Sequence, residues 1–131
     1  MTTNATRTGI WPLIPYTDKK AAIRFLVEAF GFEETLIVPG DDGEIVHVEL
    51  GWPHGGGIMF GTCDQASPFA KPRGSGTAYV VTDDPDALFE RAVAAGAEVV
   101  LEPSDQDYGS RDFVVRDPEG NTWSFGTYAG S

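Results

Sequence analysis

Apolar residues in two parts of the chain recur at three- and four-residue spacing, which predicts an amphipathic helix in each half. The first helix begins after Asp18, a residue that caps helix N-termini, and ends at Gly31. The second begins at Asp84-Pro85, an N-cap followed by proline at the first helical position, and ends at Gly96. The apolar faces are Ala22, Phe25, Leu26, Ala29 and Phe30 in the first helix, and Leu88, Ala92 and Ala95 in the second.

The two helical signatures belong to an internal repeat. At a constant offset of 65 residues, six of the seventeen positions in 17–33 are identical to their counterparts in 82–98. The identities include Thr17/Thr82, Asp18/Asp83 and Gly31/Gly96. Because this offset is nearly half of the 131 residues, it predicts a duplicated structural module.

Alternating or β-branched runs separated by turn residues predict the strands. They fall at residues 9–16, 35–38, 45–50, 58–60, 77–81, 98–101, 113–115 and 122–127. Each half therefore has the order β-α-β-β-β, which predicts an α+β fold of two tandem modules whose curved sheets surround a shared cleft. We expect a tail at 1–8 and a single domain at 9–131, with modules at 9–63 and 74–127 joined by a linker at 64–73.

Strand alternation divides the side chains between a cleft face and a face packed on the helices. The cleft face comprises Trp11, Leu13, Met59, Thr77, Tyr79, Thr122 and Ser124. The helix-packed face comprises Ile58, Phe60, Val80, Trp123 and Phe125. Trp52 and Phe69, on loops, are candidates for a lid. Arg111 can orient an anionic group, although pairing with Asp112 or another of the many acids is the favoured interpretation.

The excess of acidic residues limits the classes of molecule that this protein is expected to bind. Twenty acidic and nine basic residues give a net charge of −11, which argues against nucleic acid and anionic membranes and allows a cationic ligand. The single cysteine, Cys63, excludes an internal disulfide framework and suits a reducing compartment. Because the first residues are polar and no long apolar run follows, we expect a cytoplasmic protein that does not enter a membrane.

One motif adds a family resemblance. Asp117-Pro118-Glu119-Gly120-Asn121 followed by Trp-Ser-Phe, the Thr-Asp before each helix and the β-α-β-β-β duplication resemble the vicinal oxygen chelate superfamily. That superfamily includes glyoxalase I, extradiol dioxygenases, fosfomycin-modifying enzymes and bleomycin-binding resistance proteins. The resemblance covers residues 9–127 and implies the fold, whereas chemistry varies among proteins of one fold.

The resemblance also implies where a metal would bind. Metal-binding members carry four ligands, usually His, Glu or Gln, at positions that correspond here to Trp11, Met59, Thr77 and Ser124. Because divalent metals need converging imidazole, carboxylate or thiolate groups, we expect no metal and no cofactor. A metal site at His47, Glu49 and His54 would be unorthodox, and a solvent-facing polar strand edge is the favoured interpretation of the His47-x-Glu49 pair.

The resulting hypothesis is a metal-free protein, similar to the bleomycin-binding members, that sequesters a planar or cationic antibiotic-like molecule and confers resistance. We assign no catalytic residue. The alternatives are a metal-dependent glyoxalase- or dioxygenase-type enzyme with ligands in another register, and a metal-free enzyme using Tyr79 or Arg111. The resemblance implies a homodimer and leaves open whether modules pair within one chain or between two. The expected ligand contacts are Trp11, Leu13, Trp52, Met59, Phe69, Thr77, Tyr79, Arg111 and Ser124.

Overall fold

The computed structural model describes residues 8–61 and 67–130. Most of the predicted tail, Cys63 and the first residues of the predicted linker, 64–66, lie outside these ranges. The described chain forms two β-sheets and two helical segments, which confirms the α+β fold class. Within these ranges, no helix is long and apolar enough to cross a membrane.

The first helix is α1, Lys19–Phe25, and its N-terminus is capped as predicted: the Asp18 carboxylate accepts a hydrogen bond from the Ala21 amide at 3.1 Å. It continues without a break as a π-helical turn, π1, Leu26–Phe30. Gly31 then ends it in the left-handed region at φ 89°, where glycine carries no steric penalty.

Strands β1, Glu33–Pro39, β2, Ile45–Gly51, and β3, Gly57–Gly61, form an antiparallel sheet in that order. The predicted strand at 9–16 is reduced to one parallel bridge between Leu13 and Met59. Pro12 and Pro15 flank this bridge, and because proline has no amide hydrogen they cannot donate to a ladder. The bridge nevertheless fixes Leu13 beside the centre of β3.

The second half comprises β4, Thr77–Val81, α2, Pro85–Ala94, β5, Glu98–Asp105, β6, Arg111–Arg116, and β7, Thr122–Gly126. Its sheet has the order β4-β7-β6-β5, with β4 parallel to β7 and the other pairs antiparallel. The first half has the same connectivity, since the segment at Leu13 pairs in parallel with β3 and the order then runs back through β2 to β1.

The π-turn explains an irregularity in the repeat. The helix caps Asp18 and Asp84 are separated by 66 residues, whereas the terminating glycines Gly31 and Gly96 are separated by 65. The first helical segment is therefore one residue longer between its cap and its glycine than the second. The π-turn accommodates this extra residue, because a π-turn contains one residue more than an α-turn. The structural counterpart of Asp18 is therefore Asp84, rather than the Asp83 of the constant offset.

The halves are joined through their helical segments. The Phe30 ring of π1 lies 4.7 Å from the Phe125 ring and 5.3 Å from the Trp123 ring. The Arg91 guanidinium of α2 donates to the carbonyl oxygens of Val27 and Glu28 in π1. The predicted helix-packed residues Ile58, Phe60, Trp123 and Phe125 are all buried, and Val80 packs against them half-buried.

The turn at Asp117 ties the N-terminal segment to the second sheet. Asp117 is buried and accepts hydrogen bonds from the Tyr16 hydroxyl, from the Trp123 indole N–H and from the amides of Glu119 and Asn121. Burial, together with the Asp117 charge, raises the pKa of Tyr16 far above its ordinary value. The Glu119 carboxylate accepts from the amides of Thr17 and Asp18. The family-like motif is therefore a structural clamp in this chain.

Candidate functional site

A pocket of about 470 Å³ opens on the face of the first sheet that points away from the helices. Its apolar wall includes Leu13, Met59 and Phe69. Its polar wall includes His47, Lys71 and Arg73. All its described lining residues come from 13–73, so the first half and the chain that follows it build this pocket.

Strand alternation explains which side chains reach the pocket. In β3, Ile58 and Phe60 point into the core, and Met59 between them points to the opposite face. Gly57 and Gly61 share that face with Met59, and because they have no side chain they leave room for the Trp11 indole at Gly57 and for the pocket at Gly61. A Cβ atom at Gly57 would lie 2.7 Å from Cζ3 of Trp11, so the indole ring lies directly against the β3 backbone.

His47 lies in the pocket wall and forms a pair with Glu49. The His47 Nε2 and Glu49 Oε2 atoms are 2.9 Å apart, and both side chains are partly buried. In the β2–β3 register, His47 is opposite Gly61 and Glu49 is opposite Met59. The sequence favoured a solvent-facing strand edge for His47 and Glu49. The two side chains are instead partly buried and share the pocket face with Met59.

The donor chemistry of this face does not fit a divalent metal. His47 and Glu49 supply two donors, and across residues 8–61 and 67–130 no group of three or more His, Cys, Asp or Glu is placed to hold an ion. Of the four positions implied by the resemblance, Met59 and Trp11 lie on this face, whereas Thr77 and Ser124 lie on the second sheet. Thioether, indole and hydroxyl groups are poor ligands for such ions.

Three of the nine expected contact residues line the pocket, namely Leu13, Met59 and Phe69. Trp52 lies elsewhere. Its indole N–H donates to the Val81 carbonyl at 2.8 Å, and its ring packs 5.0 Å from Phe32. Trp52 therefore connects the two halves and does not lie over the pocket as a lid.

The expected second-half contacts lie on the other sheet. Tyr79 and Ser124 are directly opposite each other in the β4–β7 register, and Thr77 begins the same face. The Tyr79 hydroxyl donates to the Tyr128 carbonyl at 2.7 Å. In a single chain, this pocket is therefore not the cleft that we expected between the two sheets, because none of these three residues lines it. A ligand role for Thr77, Tyr79 and Ser124 stays a prediction.

The face that carries Tyr79 also holds a buried carboxylate, Asp112. It accepts hydrogen bonds from the hydroxyls of Tyr108 and Ser110. The bond to Asp112 raises the pKa of Tyr108 to about 12, because ionisation of the phenol would remove its donated proton. A Cβ atom on Gly126 would collide with the Asp112 carboxylate, so any larger residue there would force this buried side chain to move.

Arg111 is neutralised by neighbouring acids. Its guanidinium lies 3.0 Å from the Asp86 carboxylate and 3.2 Å from the Asp105 carboxylate. Pairing with acids was the favoured interpretation of the sequence, but Asp112, the acid it named, accepts from Tyr108 and Ser110 instead. Because two carboxylates already balance its charge, Arg111 is poorly suited to orienting an external anion.

Sequence reasoning did not single out Lys71 and Arg73 as pocket residues. The Arg73 Nε atom lies 3.5 Å from Glu119, while none of the ion pairs in the described parts of the chain involves Lys71. The sequence feature that could have drawn attention to them is local charge. The acidic chain has only nine basic residues, and Lys71 and Arg73 are two of them within a span of three positions. That signal indicates a local positive region, although it does not place the region against a pocket.

Comparison with known proteins identifies the fold family. The model of the Glyoxalase/Bleomycin resistance protein/Dioxygenase superfamily matches residues 10–125. An uncharacterised protein of Mycobacterium bovis is 37% identical over an alignment of 122 residues, and the match covers 88% of this chain and 80% of the relative.

Solved structures give the same result. TioX from Micromonospora sp. ML1 is 33% identical with a TM-score of 0.75, over 90% of this chain and 98% of its own. TnmS3, an antibiotic binding protein from Streptomyces sp. CB03234, is 24% identical with a TM-score of 0.69, over 91% of this chain and 95% of its own. The chain therefore belongs to the glyoxalase/bleomycin resistance protein/dioxygenase superfamily.

Proposed function

We propose that this protein binds a small, planar, antibiotic-like molecule in the first-half pocket and confers resistance by holding that molecule without converting it. The observation that carries the proposal is the pocket itself. Its volume of about 470 Å³ falls within the usual range for small-molecule sites. The bleomycin resistance proteins of the family and the antibiotic-binding neighbour TnmS3 support the same proposal.

The pocket wall suits a flat apolar ligand. Phe69 is 64% exposed and can stack against a ring, which adds to the free energy of burying apolar area. Met59 has a flexible, polarisable thioether that adapts to irregular ligand shapes. A micromolar dissociation constant requires about 8 kcal/mol of binding free energy, which a pocket of this size can provide.

Filling the pocket should weaken ligand binding. In Met59→Trp, the larger side chain occupies the pocket, and we expect the affinity for planar dyes and drugs to fall at least about tenfold with little change in melting temperature. Titration monitored by the fluorescence of the dye or drug measures the affinity, because the chain has three tryptophans and each variant adds another. The matched control is Val93→Trp, which adds the same ring to an exposed position on α2.

The same titration tests sequestration. The ligand should be recovered chemically unchanged after long incubation, with and without added Ni²⁺, Zn²⁺ or Fe²⁺. Conversion of the ligand would contradict sequestration, and conversion that depends on one of these metals would favour the enzyme alternatives. Equal affinity of Met59→Trp and the wild type would place the ligand elsewhere.

We further propose that the protein is a cytoplasmic homodimer. The edge strand β5 exposes Val99, Val100 and Leu101, and an exposed apolar edge favours association with another chain. A second copy could cover this surface and bring the face carrying Thr77, Tyr79 and Ser124 over the pocket of its partner. The reducing conditions of the cytoplasm suit a chain with one cysteine.

Leu101→Lys should dissociate the dimer, because it buries a charge in the proposed interface. Size-exclusion chromatography with light scattering should give a dimer mass for the wild type and a monomer mass for the variant. Val93→Lys places the same charge on an exposed part of α2 and should remain a dimer. A monomeric wild type at high protein concentration would disprove the proposed association.

A further inference from the structure

The charge of the pocket wall is opposite to the charge of the chain. The whole chain carries a net charge of −11. The described residues that line the pocket nevertheless include Lys71, Arg73 and His47 and contain no aspartate or glutamate. The described lining of the pocket is therefore basic although the chain as a whole is acidic, and this difference affects the charge of the ligand that the pocket selects.

The basic side chains of the wall are not equivalent. Arg73 lies 3.5 Å from Glu119, whose carboxylate also accepts from the amides of Thr17 and Asp18, so its charge is partly balanced. His47 is bound to Glu49, which balances any charge on the imidazole. Lys71 takes part in no ion pair within 8–61 and 67–130. Its ammonium group therefore remains available to a ligand.

Local charge outweighs the net charge for a molecule inside the pocket. At physiological ionic strength, exposed charges more than about 8 Å apart are largely screened from one another. The acids on the distant faces of the protein therefore contribute little, while the ammonium in the wall contributes most. An ammonium next to apolar surface binds an anionic oxygen through a charge-assisted hydrogen bond and disfavours a cation.

We propose that the ligand carries an acidic group, a carboxylate or an acidic hydroxyl on its ring system, which pairs with Lys71 while its flat body lies against Leu13, Met59 and Phe69. This inference rests on the proposed function and names its ligand class. It differs from the cationic ligand that the net charge allowed, because the sequence total does not show how charge is distributed around the pocket.

Three probes of the same shape test the ligand class. Anthracene-2-carboxylate, anthracene-2-carboxamide and 2-(aminomethyl)anthracene differ in charge while sharing one ring system. We expect the carboxylate to bind wild-type protein about tenfold more tightly than the neutral amide, and the amine to bind most weakly. Higher ionic strength should weaken carboxylate binding and leave amide binding unchanged. Probe fluorescence measures all three affinities.

The variant Lys71→Met should remove the preference for the carboxylate and leave the affinity for the amide unchanged. The matched control is Lys20→Met, which makes the same charge change on an exposed position of α1 outside the pocket. An equal loss of carboxylate affinity in Lys20→Met would show a long-range effect and would disprove a specific contact with Lys71.

The neutral amide separates the two proposals. If the amide binds and the carboxylate binds no more tightly, the acidic-ligand inference is wrong and the proposed function stands. If no probe binds, or if Met59→Trp binds all three as well as the wild type, the planar-ligand pocket is wrong and the inference falls with it.

Discussion

Replacing Asp117 with alanine should lower the free energy of unfolding by about 3–5 kcal/mol. Asp117 is 4% exposed, and its two oxygens accept from the Tyr16 hydroxyl, the Trp123 indole and two backbone amides. Alanine would leave these buried donors without a partner, and each unsatisfied donor costs about 1–3 kcal/mol. Because Tyr16 and Trp123 lie in different halves of the chain, the loss should extend to the whole fold.

Urea unfolding followed by circular dichroism measures this effect. Asp117→Asn should show an intermediate loss, since its amide oxygen can still accept backbone bonds while its amide nitrogen cannot accept from Tyr16 or Trp123. The control Asp107→Ala removes an exposed carboxylate from a turn and should change stability by less than about 0.5 kcal/mol. A loss below about 1 kcal/mol in Asp117→Ala would contradict the clamp.

The second large effect is expected at Phe30. Phe30→Ala should cost about 3–5 kcal/mol, because it leaves a cavity where the halves meet. The ring is 1% exposed and contacts the rings of Phe25, Trp123 and Phe125 at 4.7–5.3 Å. Because the ring contacts both the first helix and β7 of the second sheet, both halves should unfold at a lower urea concentration.

Phe69→Ala provides a control with the same atoms removed. Phe69 is exposed on the pocket wall, so this variant should change stability by less than about 0.5 kcal/mol and should weaken ligand binding instead. Comparable destabilisation by the two variants would show that Phe69 belongs to the core. Unchanged ligand affinity in Phe69→Ala would remove the stacking contact from the proposed site.

The elements of the fold could be predicted because their boundaries carry local chemistry. Asp18 and Asp84 cap the helices, and Gly31 and Gly96 follow them. The π-turn was not predictable, since its apolar residues keep the spacing of an ordinary α-helix. The first strand was predicted too long, because its apolar pattern outweighed the two prolines that limit it to the bridge at Leu13.

The site could be predicted only in part for a similar reason. Alternation correctly separated Met59 from its buried neighbours Ile58 and Phe60, because alternation is a property of one strand. How two sheets face each other depends on packing between distant segments, and Tyr79 accordingly lies away from the pocket. The linker residue Lys71 reaches the wall through loop geometry, which has no periodic signal.

Because the pocket lies within one half of one chain, the amount of protein limits the amount of ligand that a cell can tolerate. Under the proposed function, each polypeptide removes at most one ligand molecule, and no turnover restores its capacity. Protection of a cell should then be complete while the protein is in molar excess and should fail abruptly once ligand exceeds protein. The tolerated dose should therefore rise in proportion to expression level, whereas an enzyme would protect at catalytic amounts.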